Sequence, residues 1–201
     1  MSTRLAPIHE MMYRKILFQE DLTDRILAAF GDEAKELAAG LDAKYGETDR
    51  RPLAESIDLS NIHGWLSGRI DRAEGRYADA VSGLVSLNEN NFTRIVSVAS
   101  AFGADHPLQA DTSVEDAATF IQGWLLSGMP CDRVVELVSV TNDSVTLHEV
   151  KDCHSVYWKA GDADLYRALR TALVNGMLSS SPYVLTEAGD YTYEIARREA
   201  A

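Results

Sequence analysis

The sequence predicts an α+β protein in which a helical N-terminal half packs with a C-terminal β-β-α-β-β unit. In residues 1–130, apolar side chains recur every three or four positions and the runs end at glycines, a pattern typical of capped helices. From Arg133 the chain changes to β-branched runs separated by turn-forming residues. An amphipathic stretch lies between two such hairpins. The 201 residues suit one sizeable domain, so regions 1–130 and 131–201 are expected to be continuous.

The first helices are predicted between residues 7 and 45. Pro7 suits a first helical turn, and a segment to Ile16 follows it. A second segment covers 22–30 and stops at Gly31, and a third covers 32–45 and stops at Gly46. Glycine at these ends can adopt the left-handed conformation that satisfies the last carbonyl groups.

Three more helices are expected before residue 130. Ser60 is the predicted cap of a long helix, in which Gly64 and Gly68 lie one turn apart and permit close approach of a second helix. Asn90 is the predicted cap of the helix over 92–102. Ser113-Val-Glu-Asp116 fits a capping box for a helix that Gly128 would end.

The C-terminal region is predicted to form two hairpins around one helix. Residues 134–140 and 145–150 are the strands of the first hairpin, joined by the turn-forming cluster 141–144. Asp162 or Asp164 would cap the helix that extends to Met177. Residues 183–186 and 191–196 form the second hairpin, and alternation in the last strand predicts one buried sheet face.

Charge and cysteine content narrow the classes of function. The net charge of -12, from 31 acidic and 19 basic residues, disfavours nucleic acids and anionic membrane surfaces as partners. Two cysteines cannot build a disulfide framework of the secreted type. With no apolar run long enough for a membrane span and no signal peptide, we expect a soluble cytoplasmic protein. Glycine-rich phosphate loops are absent, and no cofactor is expected.

The densest cluster of reactive groups is VTLHEVKDCH, residues 145–154. Cys153 is the candidate nucleophile, His148 or His154 the candidate base, and Asp152 the group that would orient the imidazole. In a strand, His148 and Glu149 point to opposite faces. A turn after Val150 is therefore needed to bring Cys153 close to either histidine.

The same stretch offers a metal site as an alternative. His148, Asp152 and His154 on one face could present two nitrogens and an oxygen to zinc or iron. The chain has no helical His-x-x-x-His and no Cys-x-x-Cys, so this site is the weaker hypothesis.

Aromatic residues of the second half are candidates for binding a small substrate. Tyr157, Trp158 and Tyr183 would line a pocket between helices and sheet. His63, which lies near Trp65 on a glycine-bearing helix, is added to this set. The alternative interpretation is that these side chains are core packing.

The C-terminal third resembles a known family. RVVELVSV, VTLHEVKDCH, an amphipathic helix and YVLTEAGDYTYEIARR together resemble the L-2-amino-thiazoline-4-carboxylic acid hydrolase-like family and, more loosely, the vinyl-reductase-type ligand-binding domains. Cys153 matches the cysteine that follows the second strand in the hydrolase-like family. Cysteines that this family tends to carry in the next helix and the last strand are replaced here by other residues, such as Leu169 and Thr192.

The resemblance implies hydrolysis of a C–N bond in a small cyclic amidine- or amide-like substrate. A non-catalytic small-molecule-binding or sensor module of the same fold is the alternative. A third hypothesis is a helical interaction protein that forms a homodimer through Gly64 and Gly68.

Overall fold

The computed structural model describes residues 5–159 and 162–198 and confirms the α+β prediction. The N-terminal part contains the helices α1 Pro7–Phe30, α2 Lys35–Tyr45, α3 Leu53–Ser56, α4 Ile62–Leu87, α5 Asn91–Ala104 and α6 Val114–Trp124. The C-terminal part contains β1 Val135–Val140, β2 Ser144–Glu149, α7 Ala163–Met177, β3 Tyr183–Gly189 and β4 Thr192–Arg197. Short 3-10 turns lie at Gly31–Ala34 and Pro130–Asp132. No described helix has the length and apolar composition needed to cross a membrane.

Two helix boundaries differ from the prediction. The two segments expected between Pro7 and Phe30 are one helix of 24 residues, because the polar residues Gln19 and Glu20 in its middle are buried against other helices. α6 ends at Trp124, not at Gly128. The chain becomes extended at Leu125, which is buried together with Leu126.

The structure tests the predicted N-terminal caps of α6 and α4. The Ser113 cap of α6 is confirmed, since its hydroxyl accepts a hydrogen bond from the Asp116 amide at 3.1 Å. The Asp116 carboxylate accepts from the Ser113 hydroxyl and not from its backbone amide, so the capping box is only half formed. α4 is capped by Asn61, not by Ser60, and the Asn61 side chain accepts from the Gly64 amide. A Cβ on Gly64 would lie 2.3 Å from this same side chain. The cap thus accounts for one of the two glycines assigned to a dimer interface.

The strands form one antiparallel sheet in the order β1-β2-β4-β3. Burial alternates strictly along β2: Val145, Leu147 and Glu149 are buried, and the residues between them are half-exposed. One face therefore packs against the helices and the other faces solvent, as the period of a strand requires. β1 is an edge strand with almost every residue exposed.

A single main hydrophobic core connects the two halves of the chain. It contains completely buried residues of α1, α4, α5, α7 and β4, for example Ile26, Leu84, Ile95, Leu169 and Ile195. Helices α6 and α7 pack against the helix-facing side of the sheet, and α7 places Arg170 close to Glu149 of β2 and Tyr193 of β4.

Helices α5 and α7 cross at a pair of glycines. A Cβ on Gly103 would lie 2.0 Å from the carbonyl oxygen of Leu173, and a Cβ on Gly176 would lie 2.1 Å from that of Ser100. Since real Cβ atoms do not approach backbone so closely, each glycine is needed for the observed helix separation.

Candidate functional site

The turn after β2 separates the two histidines of VTLHEVKDCH. His148 lies on the half-exposed face of the sheet, and His154 lies in the interior. The Asp152 carboxylate accepts hydrogen bonds from the backbone amides of His154 and Ser155, at 3.1 and 2.9 Å. Its other oxygen accepts from the Tyr191 hydroxyl at 3.0 Å. Partial burial would raise the pKa of Asp152, but these hydrogen bonds lower it below its ordinary value. Asp152 is therefore the anion that shapes the turn, which places His154 in the interior.

His154 lies between a carboxylate and a phenol. It is 3 % exposed, and its Nδ1 is 3.2 Å from Oε1 of Glu74 on α4. Its Nε2 is 2.8 Å from the hydroxyl of Tyr166 on α7, whose ring stacks on the imidazole at a centroid distance of 4.1 Å. The Glu74 contact has ion-pair distance but lacks hydrogen-bond alignment, so neither carboxylate oxygen has a hydrogen-bond partner.

This environment makes His154 a cation at neutral pH. Burial alone would lower its pKa, but the Glu74 carboxylate, aided by the neighbouring Cys153 side chain, outweighs this effect and raises the pKa to about 10. Both ring nitrogens of an imidazolium are donors. His154 can therefore give a proton at neutral pH but is not free to accept one.

A second buried ion pair lies one helical turn further along α7. The Arg170 guanidinium hydrogen-bonds the Glu149 carboxylate at the end of β2, and both side chains are buried. The guanidinium carbon lies 4.0 Å from the ring centroid of Tyr193 on β4. α7 thus presents Tyr166 and Arg170 to the same buried polar region, from positions four residues apart.

A cleft leads from the surface to this region. Its inner part, the crevice, ends at His154, Trp158 and Tyr166 and has a volume of about 10 Å³, room for about one water molecule. The outer bowl has a volume of about 300 Å³. The two parts adjoin, because Arg167, Tyr191 and Tyr193 line both.

Several buried polar atoms around the crevice lack hydrogen-bond partners within the described chain. They are both carboxylate oxygens of Glu74, Nδ1 of His154, Nε1 of Trp158 and Nε of Arg170. Most buried polar groups in proteins have at least one partner, and an exception calls for a bound water, an ion or a functional role. Of these residues, His154 and Trp158 line the crevice, whereas Glu74 and Arg170 pair with the lining residues His154 and Glu149. The crevice is therefore the candidate site.

The predicted catalytic residues are divided by the sheet. His148 points to the half-exposed face, where its Nδ1 is 3.1 Å from the Thr192 hydroxyl. Cys153 and His154 are neighbours on the other side of the turn, and Cys153 is a half-buried free thiol. Cys153 does not line the crevice or the outer bowl. The structure therefore brings together His154, Cys153 and Asp152, and leaves His148 apart.

The same division separates the proposed metal ligands. His148 faces away from His154, and the Asp152 oxygens already accept three hydrogen bonds. Among the residues that the structure describes, no three or more His, Cys, Asp and Glu side chains are grouped so as to hold a metal ion.

The predicted substrate-binding residues lie in four different places. Trp158 lines the crevice and packs edge-on against Tyr77. Tyr157 donates a 2.6 Å hydrogen bond to Asp71, which ties this segment to α4. Tyr183 is buried and donates to the Thr112 carbonyl at 3.0 Å. His63 is exposed in the first turn of α4, so only Trp158 belongs to the cleft.

Sequence reasoning missed the buried charged residues Glu74, Glu149 and Arg170, and these three follow one signal. Glu74 lies on the apolar face of α4, between Ile70 and Tyr77 in helical spacing. Arg170 lies beside Leu169 in the apolar face of α7, and Glu149 alternates with buried residues along β2. A charged residue at a position that the periodicity assigns to the core is a candidate for function, because its burial is costly.

Comparison of the chain with protein-family models, with curated proteins and with solved structures gave no match. The resemblance of the C-terminal third to the hydrolase-like family stays a prediction. The functional argument therefore depends on the geometry of the cleft.

Proposed function

We propose that this protein binds a small organic molecule in the cleft between α7, the segment after β2 and the β3–β4 hairpin. The observation that carries the proposal is a crevice lined by two buried side chains, Trp158 and His154, that each have a nitrogen without a hydrogen-bond partner in the described chain. A ligand that ends in polar atoms would supply these partners. Buried charges that serve only stability are ordinarily paired and fully hydrogen-bonded.

The composition of the cleft supports this proposal. Ligand sites are concave, mainly apolar or aromatic, and contain few polar groups that fix orientation. Tyr191, Tyr193 and Trp158 supply aromatic surface, and the outer bowl of about 300 Å³ is at the lower end of ligand-pocket volumes. Arg167, whose guanidinium lies 5.9 Å from the Tyr191 ring centroid, is the cation that faces both parts.

Thermal denaturation with a panel of small organic compounds tests this function. A compound at 100 times its Kd stabilises the folded state by about 2.7 kcal/mol, which corresponds to a rise in Tm of about 5–10 °C for a chain of this size. Tyr191→Ala is expected to abolish the rise. His148→Ala, on the other face of the sheet, is the matched control and should preserve it. An identical rise in Tyr191→Ala would contradict binding in this cleft.

Hydrolysis of a C–N bond is the second candidate function, favoured by the position of the free thiol Cys153 next to the buried His154. In this reaction the Cys153 thiolate, formed by loss of its proton to solvent, would attack the carbon of the C–N bond, and that bond would break as His154 gives a proton to the leaving nitrogen. Water would then release the product from sulfur and restore both groups. The step requires the ligand to reach Cys153, which the cleft does not contact in this structure.

The cysteine pair provides the test of hydrolysis. With an amide or cyclic amidine that the binding screen identifies, Cys153→Ser should abolish turnover and Cys131→Ser, at an exposed 3-10 turn, should not change it. His154→Gln should lower kcat by about 10²–10⁴, the usual contribution of a proton donor. Turnover that survives both Cys153→Ser and His154→Gln would exclude this mechanism, and bound ligand without any product would favour a binding module.

A further inference from the structure

The end of the crevice is bordered by hydrogen-bond donors. Trp158 lines the crevice, is 6 % exposed, and has an indole nitrogen that is buried without a partner in the described chain. An indole N–H can only donate, and buried tryptophans ordinarily use it. The described chain therefore supplies no hydrogen-bond acceptor for the indole N–H of Trp158.

Tyr166 also lines the crevice, with its ring centroid 5.9 Å from that of Trp158, and offers a second proton. Its hydroxyl has one partner among the described residues, Nε2 of His154 at 2.8 Å. Because His154 is an imidazolium, Nε2 donates and the Tyr166 oxygen accepts. The phenolic proton is then free for another acceptor.

Both carboxylates that line the crevice already accept hydrogen bonds from the protein. Glu149 accepts from Arg170, and the Asp152 oxygens accept from two backbone amides and from the Tyr191 hydroxyl. The remaining volume is about 10 Å³, which one oxygen atom fills and a larger group does not.

We infer that the end of the crevice is a subsite for a single carbonyl-type oxygen of the ligand, held by the Trp158 indole N–H and the Tyr166 hydroxyl. The inference rests on the proposed binding function and defines its ligand class: an amide, acid or ketone whose carbonyl oxygen enters the crevice while the rest occupies the outer bowl. An amine or hydrocarbon end would leave both donors without partners, at a cost typical of buried unsatisfied groups. Two donors on one oxygen, backed by the cation of His154, also resemble the arrangement that stabilises an oxyanion.

A crystal structure of the purified protein gives the first test. In the absence of ligand, we expect one ordered water at the end of the crevice, with its oxygen within hydrogen-bond distance of both Trp158 Nε1 and Tyr166 Oη. A crevice without such an oxygen, or a Trp158 nitrogen that donates to a protein group, would overturn the inference.

Calorimetric titration with matched probes gives the second test. Benzamide carries the oxygen, and benzylamine has similar size without it. We expect wild type to prefer benzamide at least tenfold, and Tyr166→Phe and Trp158→Phe each to remove this preference, with His148→Ala unchanged. Equal affinities of wild type for both probes, or no benzamide binding up to its solubility, would contradict the subsite.

The two proposals fail in different ways. If compounds stabilise the protein through Tyr191 but neither Tyr166→Phe nor Trp158→Phe changes their relative affinities, the cleft binds ligands and the oxygen subsite is wrong. If no compound stabilises the protein and an ordered water still bridges both donors, the binding function is wrong and the water is structural.

Discussion

Helix α4 carries two buried charges two residues apart, Glu74 and Arg76, and their surroundings differ. Arg76 lies between three carboxylates, with nitrogen–oxygen distances of 3.1 Å to Glu20, 2.8 Å to Asp24 and 3.5 Å to Asp42. Among the described residues, Glu74 has one ion-pair partner, His154, and neither of its oxygens has a hydrogen bond, whereas Arg76 lacks a partner only at Nε. The first cluster joins α4 to α1 and α2, and the second lies beside a cleft.

From this difference we infer that Arg76 is a charge that stabilises the fold and that Glu74 is a charge that serves function. A buried ion compensated by several opposite charges holds its elements together, and its loss is expressed in stability. A buried ion with free lone pairs is poorly compensated by the protein alone, and such sites concentrate where a ligand or a reaction uses them. The two clusters should therefore respond to substitution in different measurements.

Arg76→Met is expected to give the largest loss of stability. Removal of the cation leaves Glu20, which is 3 % exposed, buried without a counter-charge, and breaking a buried pair on one side costs about 3–5 kcal/mol. Urea denaturation measures the change. The double variant Glu20→Gln/Arg76→Met should recover much of the loss, since both charges are then absent. A loss below about 1 kcal/mol in the single variant would show that this pair is not structural.

The second prediction concerns pH and the Glu74–His154 pair. The folded-state pKa of His154, about 10, lies above the ordinary value of 6.5. Its contribution to stability is therefore complete below pH 6.5 and is lost as pH rises toward 10. Glu74→Gln removes the carboxylate that keeps the ring charged, so the free energies of unfolding of wild type and variant should differ most near pH 6 and converge toward pH 10. A constant difference over this range would contradict the assigned ion pair.

Tyr166→Phe is expected to have a smaller effect on stability. It removes one hydrogen bond to His154, which is worth about 0.5–1.5 kcal/mol, while the stacked ring is retained. Thermal unfolding measures the loss, and NMR titration of the His154 ring tests the contact itself. A variant with an unchanged His154 spectrum would show that the hydroxyl does not contact the imidazole.

Arg50→Ala is expected to have the smallest effect. Arg50 pairs with Asp21 and Asp24 at the rim of the Arg76 cluster, and its side chain is 45 % exposed. Exposed ion pairs contribute about 0–1 kcal/mol and are screened by salt. Repeating the denaturation in high salt should remove the difference from wild type. A larger effect that persists in salt would extend the structural cluster to the surface.

Much of the fold can be predicted from local sequence patterns, but the arrangement of the candidate site cannot. The amphipathic pattern of α7 and the alternation along β2 depend on neighbours in sequence, so they were visible directly. The predicted break within α1 and the predicted end of α6 are wrong because the burial of Glu20 and Leu125 depends on tertiary packing. His154 was a candidate because it follows Cys153, but its partners come from α4 and α7. No sequence spacing places those two helices together around one imidazole.

The glycine crossing of α5 and α7 has a consequence for how the site could change over time. Gly176 lies ten residues beyond Tyr166 on α7, about 15 Å along the helix axis, and any side chain there would displace the helix from α5. The position of the Tyr166 oxygen thus depends on the absence of a side chain at Gly103 and Gly176, which lie outside the lining of the cleft. Substitutions at Gly103 or Gly176 would alter ligand selectivity from a distance, whereas exchanges among the aromatic residues of the outer bowl would alter it locally.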